Sequence, residues 1–279
     1  MKKIRHLLLF VFLGALLVAT ALGVRFTRPG SAQEPQQEAP PASPSHSPSS
    51  PSSPPMDEPA EPPLLPPSPA YDYSRPVPEA EAELPEGYFD DAVFIGDSRT
   101  RGLELFGDLE AVFYAATGLN VNTVFTKEVI PLGEKKVTVM EALRSRPFGK
   151  VYIMLGINEL GWAYPEIFIE KYAELTQAIL EINPHALLYI QSLLPVSAER
   201  DGEDDIYNNK KIRLYNELLR ELAAKEKLYF LDVASCFTDE EGNLPAGAAT
   251  DGIHLKAEYC RRWAEYLQKH FIVAKEDAA

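Results

Sequence analysis

Cysteine and tryptophan are scarce in this chain, with only two of each among 279 residues. The cysteines, Cys236 and Cys260, form neither a CxxC motif nor a cysteine–histidine cluster, so a structural zinc site is not expected. They could form one disulfide outside the cell or remain two buried thiols, and the sequence leaves both possibilities open.

Basic residues are also few relative to acidic ones. The chain has 27 lysines and arginines and 41 aspartates and glutamates, which gives a net charge of -14. Residues 1–80 carry 7 acidic and 6 basic side chains, so they contribute only -1 of this charge. The other -13 falls on the remainder of the chain, with 34 acidic against 21 basic side chains. A surface this acidic repels phosphate backbones, so we expect no nucleic-acid partner.

Charge is absent from residues 7–24, an apolar run that follows Lys2, Lys3 and Arg5. This run is long enough for one membrane-spanning helix and long for a cleaved signal peptide. The preceding basic residues favour a cytoplasmic N-terminus. We therefore expect residues 1–28 to be a signal anchor in the cell membrane or a signal peptide. The rest of the chain would lie outside the cytoplasm, and would be secreted if the signal is cleaved.

Aromatic and branched apolar residues are nearly absent from the following stretch, where Pro, Ser, Ala and Glu dominate. Such a segment cannot bury enough apolar surface to offset its ordering entropy, and its prolines favour extended conformations. We predict a disordered Pro/Ser-rich linker over residues 29–85 and one folded domain over residues 86–279.

Within the predicted domain, short apolar runs alternate with amphipathic stretches. The apolar runs predict strands at 92–95, 111–115, 151–155, 187–190 and 228–231. The amphipathic stretches predict helices at 134–144, 165–182, 206–224 and 256–271. This alternation predicts an α/β fold with a five-stranded parallel sheet between two layers of helices. In such a sheet, ligands bind beyond the carboxyl ends of the strands.

The residues needed for acyl transfer follow these strand ends. Ser98 follows the first strand at the start of a predicted helix, whose N-terminus favours a developing negative charge. His254 lies in a glycine-containing loop after the fifth strand, and Asp251 precedes it by three residues. A serine hydroxyl becomes a good nucleophile when a base takes its proton and a carboxylate orients that base. We therefore predict Ser98, Asp251 and His254 as the catalytic residues.

A tetrahedral intermediate also needs donors for its oxyanion. The candidates are the backbone N–H groups of Ser98 and Gly118 and the side-chain amide of Asn158. We expect glycine at 118 because a side chain there would block close approach of the oxyanion to the Gly118 N–H. Other interpretations stay open. Ser98, and the pair Asp251 and His254, could serve simply as helix caps, and Asn158 could serve simply as a turn residue.

Four segments resemble the conserved blocks of the SGNH hydrolases, also called the GDSL family. They are Gly96-Asp97-Ser98, Gly118, Gly156-Ile157-Asn158 and Asp251-Gly252-Ile253-His254, in the order of that family. The resemblance covers about residues 90–270. It implies a flavodoxin-like three-layer α/β/α fold, hydrolysis or transfer of acyl esters, and no metal or organic cofactor. It assigns the same triad and the same oxyanion donors.

The chain departs from the family pattern at two positions. Arg99 stands where an apolar residue is usual near the nucleophile, and Glu159 stands where Asp often follows the third-block Asn. We predict that both line the rim of the substrate site. Trp162 and Tyr164 follow the third block and could form a sugar-stacking wall at that rim or pack within the fold.

We expect an extracytoplasmic serine esterase that removes acyl groups, above all acetyl, from a carbohydrate or another small ester. The same acyl-enzyme could pass an acetyl group to a sugar, which would make the protein an O-acetyltransferase acting on cell-wall or surface polysaccharide. A non-catalytic cell-surface binding protein with a hydrolase fold is the alternative from another class. A lipase is less expected, because no long apolar lid occurs and the predicted loop at 197–205 is rich in charge.

Overall fold

The structure, a computed structural model, describes residues 71–203 and 206–273. The predicted anchor at residues 1–28 and the predicted linker up to residue 70 lie outside the described residues. Among the helices in the described ranges, none is both long enough and apolar enough to cross a membrane.

The described ranges hold strands and helices in alternation. The strands are β1 (Ala92–Gly96), β2 (Val112–Ala115), β3 (Ile130–Leu132), β4 (Lys135–Val137), β5 (Lys150–Met154), β6 (Leu187–Gln191) and β7 (Tyr229–Leu231). The helices are α1 (Ser98–Phe106), α2 (Val139–Arg144), α3 (Pro165–Ile182), α4 (Ala198–Glu203), α5 (Asn209–Glu226) and α6 (Ala257–Lys269). Short 3₁₀ turns occur at Thr123–Phe125, Ile157–Glu159 and Val233–Cys236.

The predicted five-stranded parallel sheet is confirmed. Its strand order is β2-β1-β5-β6-β7, and every neighbouring pair is parallel. All five residues of β1 are buried, as are four of five in β5 and β6. Burial on both faces explains why these strands are continuous apolar runs and do not alternate with polar residues.

Two layers of helices cover the sheet. The chain moves in one direction along the sheet from β1 to β2 and in the other from β5 to β7. Because parallel crossovers are right-handed, α1 and α3 lie on opposite faces. Helix α6 packs against α1, and α5 packs against α3, which completes the three-layer α/β/α fold.

The predicted helix at 134–144 is wrong in its first half. Residues 130–137 form an antiparallel hairpin, β3 and β4, whose turn contains Gly133 with φ of 63°. Helix α2 begins only after Thr138, whose hydroxyl accepts a hydrogen bond from the Glu141 N–H while the Glu141 carboxylate accepts one from the Thr138 N–H. This reciprocal capping ends the strand and starts the helix at one residue.

The charged segment predicted as a loop at 197–205 also differs, because residues 198–203 form helix α4. Acidic residues in its first turn, Glu199 and Asp201, suit the positive end of the helix dipole. Helix α4 leads towards α5, whose first residue, Asn209, is buried and donates from its side-chain amide to the carbonyl oxygen of Val196 at 2.9 Å.

The end of the predicted linker belongs to the fold. Val77 is 2% exposed, and its N–H donates to the Phe230 carbonyl oxygen at 2.8 Å. The Ala80 N–H donates to the Lys269 carbonyl oxygen at 2.7 Å, and the Tyr71 ring packs edge-on against Tyr229. The few apolar residues among the prolines thus pack beside β7, and residues 71–85 are not a disordered linker.

The two cysteines are free thiols in this structure. Cys260 is buried in α6, and Cys236 is partly buried at the end of a 3₁₀ turn. Burial raises the pKa of Cys236 to about 12 and that of Cys260 to about 11, although nearby arginines oppose the shift. Both sulfur atoms are therefore protonated and poorly nucleophilic at neutral pH.

Candidate active site

Three loops converge at the carboxyl end of β1. This strand lies between β2 and β5, and its last residue, Gly96, pairs with Ala115 on one side and Met154 on the other. The Ala116 N–H also donates to the Gly96 carbonyl oxygen at 3.2 Å. The segments that follow these three strands therefore start side by side, as predicted for the blocks that contain Ser98, Gly118 and Asn158.

Ser98 lies on a tight turn from β1 into α1. A Cβ atom at Gly96 would come within 1.9 Å of the Thr100 hydroxyl and 2.9 Å of the Met154 carbonyl oxygen, so only glycine fits there. Asp97 caps α1, because its carboxylate accepts a hydrogen bond from the Arg99 N–H at 2.8 Å. Ser98 is thereby fixed as the first residue of the helix, with its side chain partly exposed.

His254 and Asp251 lie in a loop closed by its own backbone. Ala249 and Leu255 form an isolated antiparallel bridge, and the Thr250 N–H donates to the His254 carbonyl oxygen at 3.0 Å. Gly252 has φ of 79° and lies so close to α4 that a Cβ atom would come within 2.8 Å of the Arg200 Cβ. Glycine therefore allows both the turn and its approach to the helix.

Ser98, His254 and Asp251 form a continuous chain of contacts. The Ser98 Oγ lies 2.8 Å from His254 Nε2, and His254 Nδ1 lies 2.7 Å from Asp251 Oδ2. Because a carboxylate can only accept, a proton on Nδ1 donates to Asp251, and the neutral ring then keeps a lone pair on Nε2 for the serine hydroxyl. This is the arrangement that a general base needs in order to activate a serine.

The Asp251 carboxylate is strongly held in its ionised form. Desolvation raises its pKa, but hydrogen bonds from the His254 N–H at 2.8 Å, the His254 ring and the Ile253 N–H at 3.0 Å outweigh it and lower the pKa to about 2. Asp251 therefore stays charged across the physiological range and can stabilise an imidazolium formed beside it.

Gly118 and Asn158 lie in neighbouring loops and are linked through Leu119. The Asn158 amide donates to the Leu119 carbonyl oxygen at 2.9 Å, which ties the loop after β5 to the loop after β2. Gly118 has φ of 72°, and a Cβ atom there would meet nothing within 4 Å. Within the protein, the reason for glycine at 118 is thus its left-handed backbone and not the close approach of another group.

Arg99 does not lie at the rim, so that prediction is wrong. Its side chain is 3% exposed, and its guanidinium donates to the carbonyl oxygens of Leu194 at 2.6 Å and Pro195 at 3.3 Å. Desolvation lowers its pKa to about 10, opposed by the charges of Asp97 and Asp251. Arg99 therefore remains charged at neutral pH and joins the start of α1 to the segment that follows β6.

The rim prediction is also wrong for Glu159, which is fully buried. Its Oε1 accepts a hydrogen bond from the Val121 N–H at 2.8 Å, and its carbonyl oxygen accepts one from the Tyr215 hydroxyl at 2.8 Å. Desolvation raises the pKa of Glu159 to about 8, and the charge of Asp97 adds to that shift. Glu159 supports the loop after β2 from below and does not reach solvent.

The two aromatic rim candidates differ from each other. Trp162 is partly buried and packs against the core. Its backbone N–H donates to the Glu159 carbonyl oxygen at 2.8 Å. Tyr164 is 65% exposed and directly precedes α3. Trp162 thus has the packing role that the sequence left open, and Tyr164 alone has a free ring surface of the kind that a sugar could contact.

Sequence reasoning did not anticipate this buried support. Arg99 and Glu159 each directly follow a predicted site residue, Ser98 and Asn158, and a charged residue in that place is compatible with an exposed rim. The signal that could have shown otherwise is that both motifs directly follow a buried apolar strand, β1 or β5. Charged residues flanked by buried strands and helix starts need partners within the fold.

A polar cavity of about 630 Å³ has Asp251 in its wall. It lies between α4 and the loop that carries Asp251, and its wall includes Glu199, Arg200, Asp239 and Thr250. Among the described residues, no group of three or more His, Cys, Asp or Glu side chains is arranged to hold a metal ion.

Comparisons with known proteins show the family and the fold. The model of the family described as GDSL-like lipase/acylhydrolase matches residues 94–262. The chain is similar to a Streptococcus pneumonia protein described as a candidate platelet activating factor, with a TM-score of 0.51 and 22% identity over 64% of this chain and 82% of that chain. It is also similar to the acetyl xylan esterase AlAXEase, with a TM-score of 0.50 and 16% identity over 65% of this chain and 99% of that chain. No curated protein sequence matches the chain.

Proposed function

Because the chain belongs to the GDSL-like lipase/acylhydrolase family and is an ester hydrolase, we propose that Ser98, His254 and Asp251 are its catalytic triad. The observation that carries the proposal is the unbroken chain of contacts at 2.8 Å and 2.7 Å from the serine oxygen through the imidazole to the carboxylate. The buried turn beneath Ser98 and the closed loop around His254 hold both groups for this contact.

In the first half-reaction, the Ser98 Oγ attacks the ester carbonyl carbon while His254 Nε2 takes the hydroxyl proton. The carbonyl oxygen becomes an oxyanion, for which the N–H groups of Ser98 and Gly118 and the Asn158 amide are the proposed donors. The bond from carbon to the alcohol oxygen then breaks, and His254 returns the proton to the leaving alcohol. Ser98 is left acylated.

In the second half-reaction, His254 removes a proton from water as the water oxygen attacks the acyl carbon. The ester bond to Ser98 breaks, the proton passes to the serine oxygen, and the carboxylic acid leaves. Asp251 stays ionised throughout and stabilises the imidazolium at each step. The residues therefore account for the whole cycle without any other reacting group of the protein.

We propose an acylated carbohydrate as the substrate, with acetyl as the acyl group. The polar cavity beside Asp251 supports this choice, because walls that carry Glu199, Arg200 and Asp239 suit a hydroxyl-rich alcohol better than a lipid tail. The exposed ring of Tyr164 adds a surface on which a sugar could stack. One structurally similar protein is described as an acetyl xylan esterase, which makes acetylated glycans the first substrates to test.

The proposed location is outside the cytoplasm, with the protein held to the cell membrane by residues 1–28. The support is the charge-free run at 7–24 behind three basic residues. Fractionation of cells that express the full chain tests this part, together with protease treatment of intact cells. A hydrolase domain that resists protease until the cells are lysed would contradict it.

The test of the triad is hydrolysis of p-nitrophenyl acetate by the full-length protein and its Ser98→Ala variant. We expect the variant to lose about 10⁴-fold or more in kcat/KM, because no nucleophile remains. The matched control is Ser74→Ala, since Ser74 is an exposed serine whose hydroxyl donates to the Asp72 carboxylate at 2.6 Å. Equal activity of Ser98→Ala and the wild type would overturn the proposal and favour a binding role for the fold.

The test of the substrate compares acetylated xylo- and chito-oligosaccharides with long-chain p-nitrophenyl esters. Release of free acetate from a glycan at a kcat/KM well above that for long-chain esters is the expected result. Transfer of acetyl to an added sugar without release of acetate would indicate an acetyltransferase. Preference for long-chain esters would contradict the carbohydrate assignment.

A further inference from the structure

Two buried carboxyl groups lie beneath the proposed catalytic residues. Asp97 and Glu159 are both fully buried, and each uses only one oxygen in a hydrogen bond to backbone. In the described part of the protein, Asp97 Oδ2 and Glu159 Oε2 have no hydrogen-bond partner. Buried polar atoms are nearly always paired, so this arrangement calls for a proton or an ordered water at these oxygens.

The two carboxyl groups belong to the two loops that the proposed chemistry needs. Asp97 immediately precedes Ser98 and caps the helix that it starts. Glu159 immediately follows Asn158, and the pair hold the loop after β2 at two points, since Asn158 donates to the Leu119 carbonyl oxygen and Glu159 accepts from the Val121 N–H. Displacement of Glu159 would therefore move the segment that contains Gly118.

The charges around Glu159 decide which of the two groups holds the proton. Asp97 is within electrostatic range of Glu159, and each carboxylate opposes ionisation of the other. Desolvation raises the pKa of Asp97 to about 6, although the Arg99 N–H and the charges of Arg99 and His254 oppose the shift, so Asp97 ionises at a lower pH than Glu159. Among the described residues, Tyr172 and Tyr215 also interact electrostatically with Glu159, and burial raises the pKa of both hydroxyl groups, so both stay neutral.

We infer that Glu159 is a positioning residue that works in its neutral form beside the ionised Asp97. Loss of the Glu159 proton to solvent puts two like charges in one buried space. The repulsion between the two carboxylates can then be reduced only if water enters the buried space or the loop at 118–121 moves. Either change displaces Gly118 relative to Ser98, so that ester hydrolysis falls at alkaline pH. This inference rests on the proposed function for its kinetic arm only.

The kinetic test measures kcat and KM for p-nitrophenyl acetate from about pH 6 to about pH 10, with enzyme-free blanks, using full-length wild type and Glu159→Gln. Glutamine is permanently neutral and keeps an oxygen for the Val121 N–H. We expect wild-type kcat to fall about tenfold per pH unit above about pH 8, where burial places the pKa of Glu159, while KM changes little. Glu159→Gln should remain active and lose this alkaline decline.

The matched control is Glu170→Gln, because Glu170 is an exposed glutamate on α3, and it should keep the wild-type profile. Glu159→Ala should lose kcat at every pH, since it removes the acceptor for Val121. An alkaline decline in Glu159→Gln identical to that of the wild type would overturn the inference. So would a wild-type profile that stays flat up to about pH 10.

A second measurement does not depend on catalysis or on the folding of a variant. Infrared difference spectra of the wild type should show a protonated carboxyl band at about pH 7 that disappears as pH rises through about 8. The melting temperature should also fall as pH rises from about 4.5, the ordinary pKa of a glutamate, to about 8, and should change little further above that, because a folded-state pKa raised above its unfolded value stabilises the protein fully only below the unfolded pKa. Absence of the band would overturn the inference even if Ser98→Ala showed the proposed function to be correct. If Ser98→Ala instead keeps full activity, the band still tests Glu159.

Discussion

The two sides of the proposed active site are held in contrasting ways. Ser98 stands on a turn whose neighbours Asp97, Arg99 and Thr100 are at most 3% exposed. The side chains of His254 and Asp251 are 46% and 53% exposed, in a loop held mainly by backbone hydrogen bonds. The proposed nucleophile is thus held between buried neighbours, whereas the proposed base and its carboxylate are exposed.

This contrast separates chemistry from stability. A substitution on the exposed side removes few packing contacts, so its effect should be confined to the reaction. A substitution on the buried side leaves an unpaired polar group or a cavity, so its effect should appear first in the free energy of unfolding. The following predictions test that division, in decreasing order of expected effect.

The largest expected effect is that of His254→Ala on catalysis. We expect kcat/KM for p-nitrophenyl acetate to fall by about 10⁴-fold, since Ser98 loses its base, while the melting temperature changes by no more than about 2 °C. The control is His185→Ala, which removes an exposed histidine at the turn before β6. A large loss of stability in His254→Ala would show that the loop is part of the folding core and would break the comparison.

The next effect is that of Arg99→Ala on stability. We expect the free energy of unfolding in urea to fall by about 3 kcal/mol, because the carbonyl oxygens of Leu194 and Pro195 lose a charged donor and Asp97 loses its neighbouring cation. Arg101→Ala, on the exposed side of the same helix, removes a surface pair with Glu104 and should cost less than about 1 kcal/mol. Equal losses in the two variants would contradict the buried role of Arg99.

The smallest expected effect is that of Gly118→Ala. Its Cβ meets open space, so the cost is the left-handed backbone alone, about 1 kcal/mol in the free energy of unfolding. Gly156→Ala is the informative comparison. A Cβ atom there would come within 2.7 Å of a Leu193 methyl, and the alanine would also have to adopt φ of 144°. A Gly118→Ala variant less stable than Gly156→Ala would show that the loop after β2 is more tightly packed than the structure indicates.

Much of the fold was predictable, because burial on both faces leaves a continuous apolar run in each strand of the sheet. The helix over 165–182 was predicted with the bounds that the structure shows, since Pro165 marks its first turn. The hairpin before α2 was missed, because three-residue strands have too few positions to show a period. Residues 71–85 were missed for a different reason, as their composition is that of a linker and their partners, in β7 and at the end of α6, lie far away along the chain.

The site divides along the same line. The residue types and the order of the four blocks, from Ser98 to His254, were readable from the sequence, because the carboxyl ends of neighbouring parallel strands meet at one edge. The surroundings of Arg99 and Glu159 were not readable, because a charge next to a catalytic residue is compatible with either a rim or a buried support.

The sequence by itself thus determined the strand order along the chain, the family and the chemical groups available for acyl transfer. Only the tertiary structure decided that Ser98 Oγ and His254 Nε2 lie 2.8 Å apart and that two carboxyl groups are enclosed beneath them. Local pattern reports which side chains a segment offers. Burial and pKa depend on atoms from distant segments, because desolvation and Coulomb interactions act through space and not along the chain.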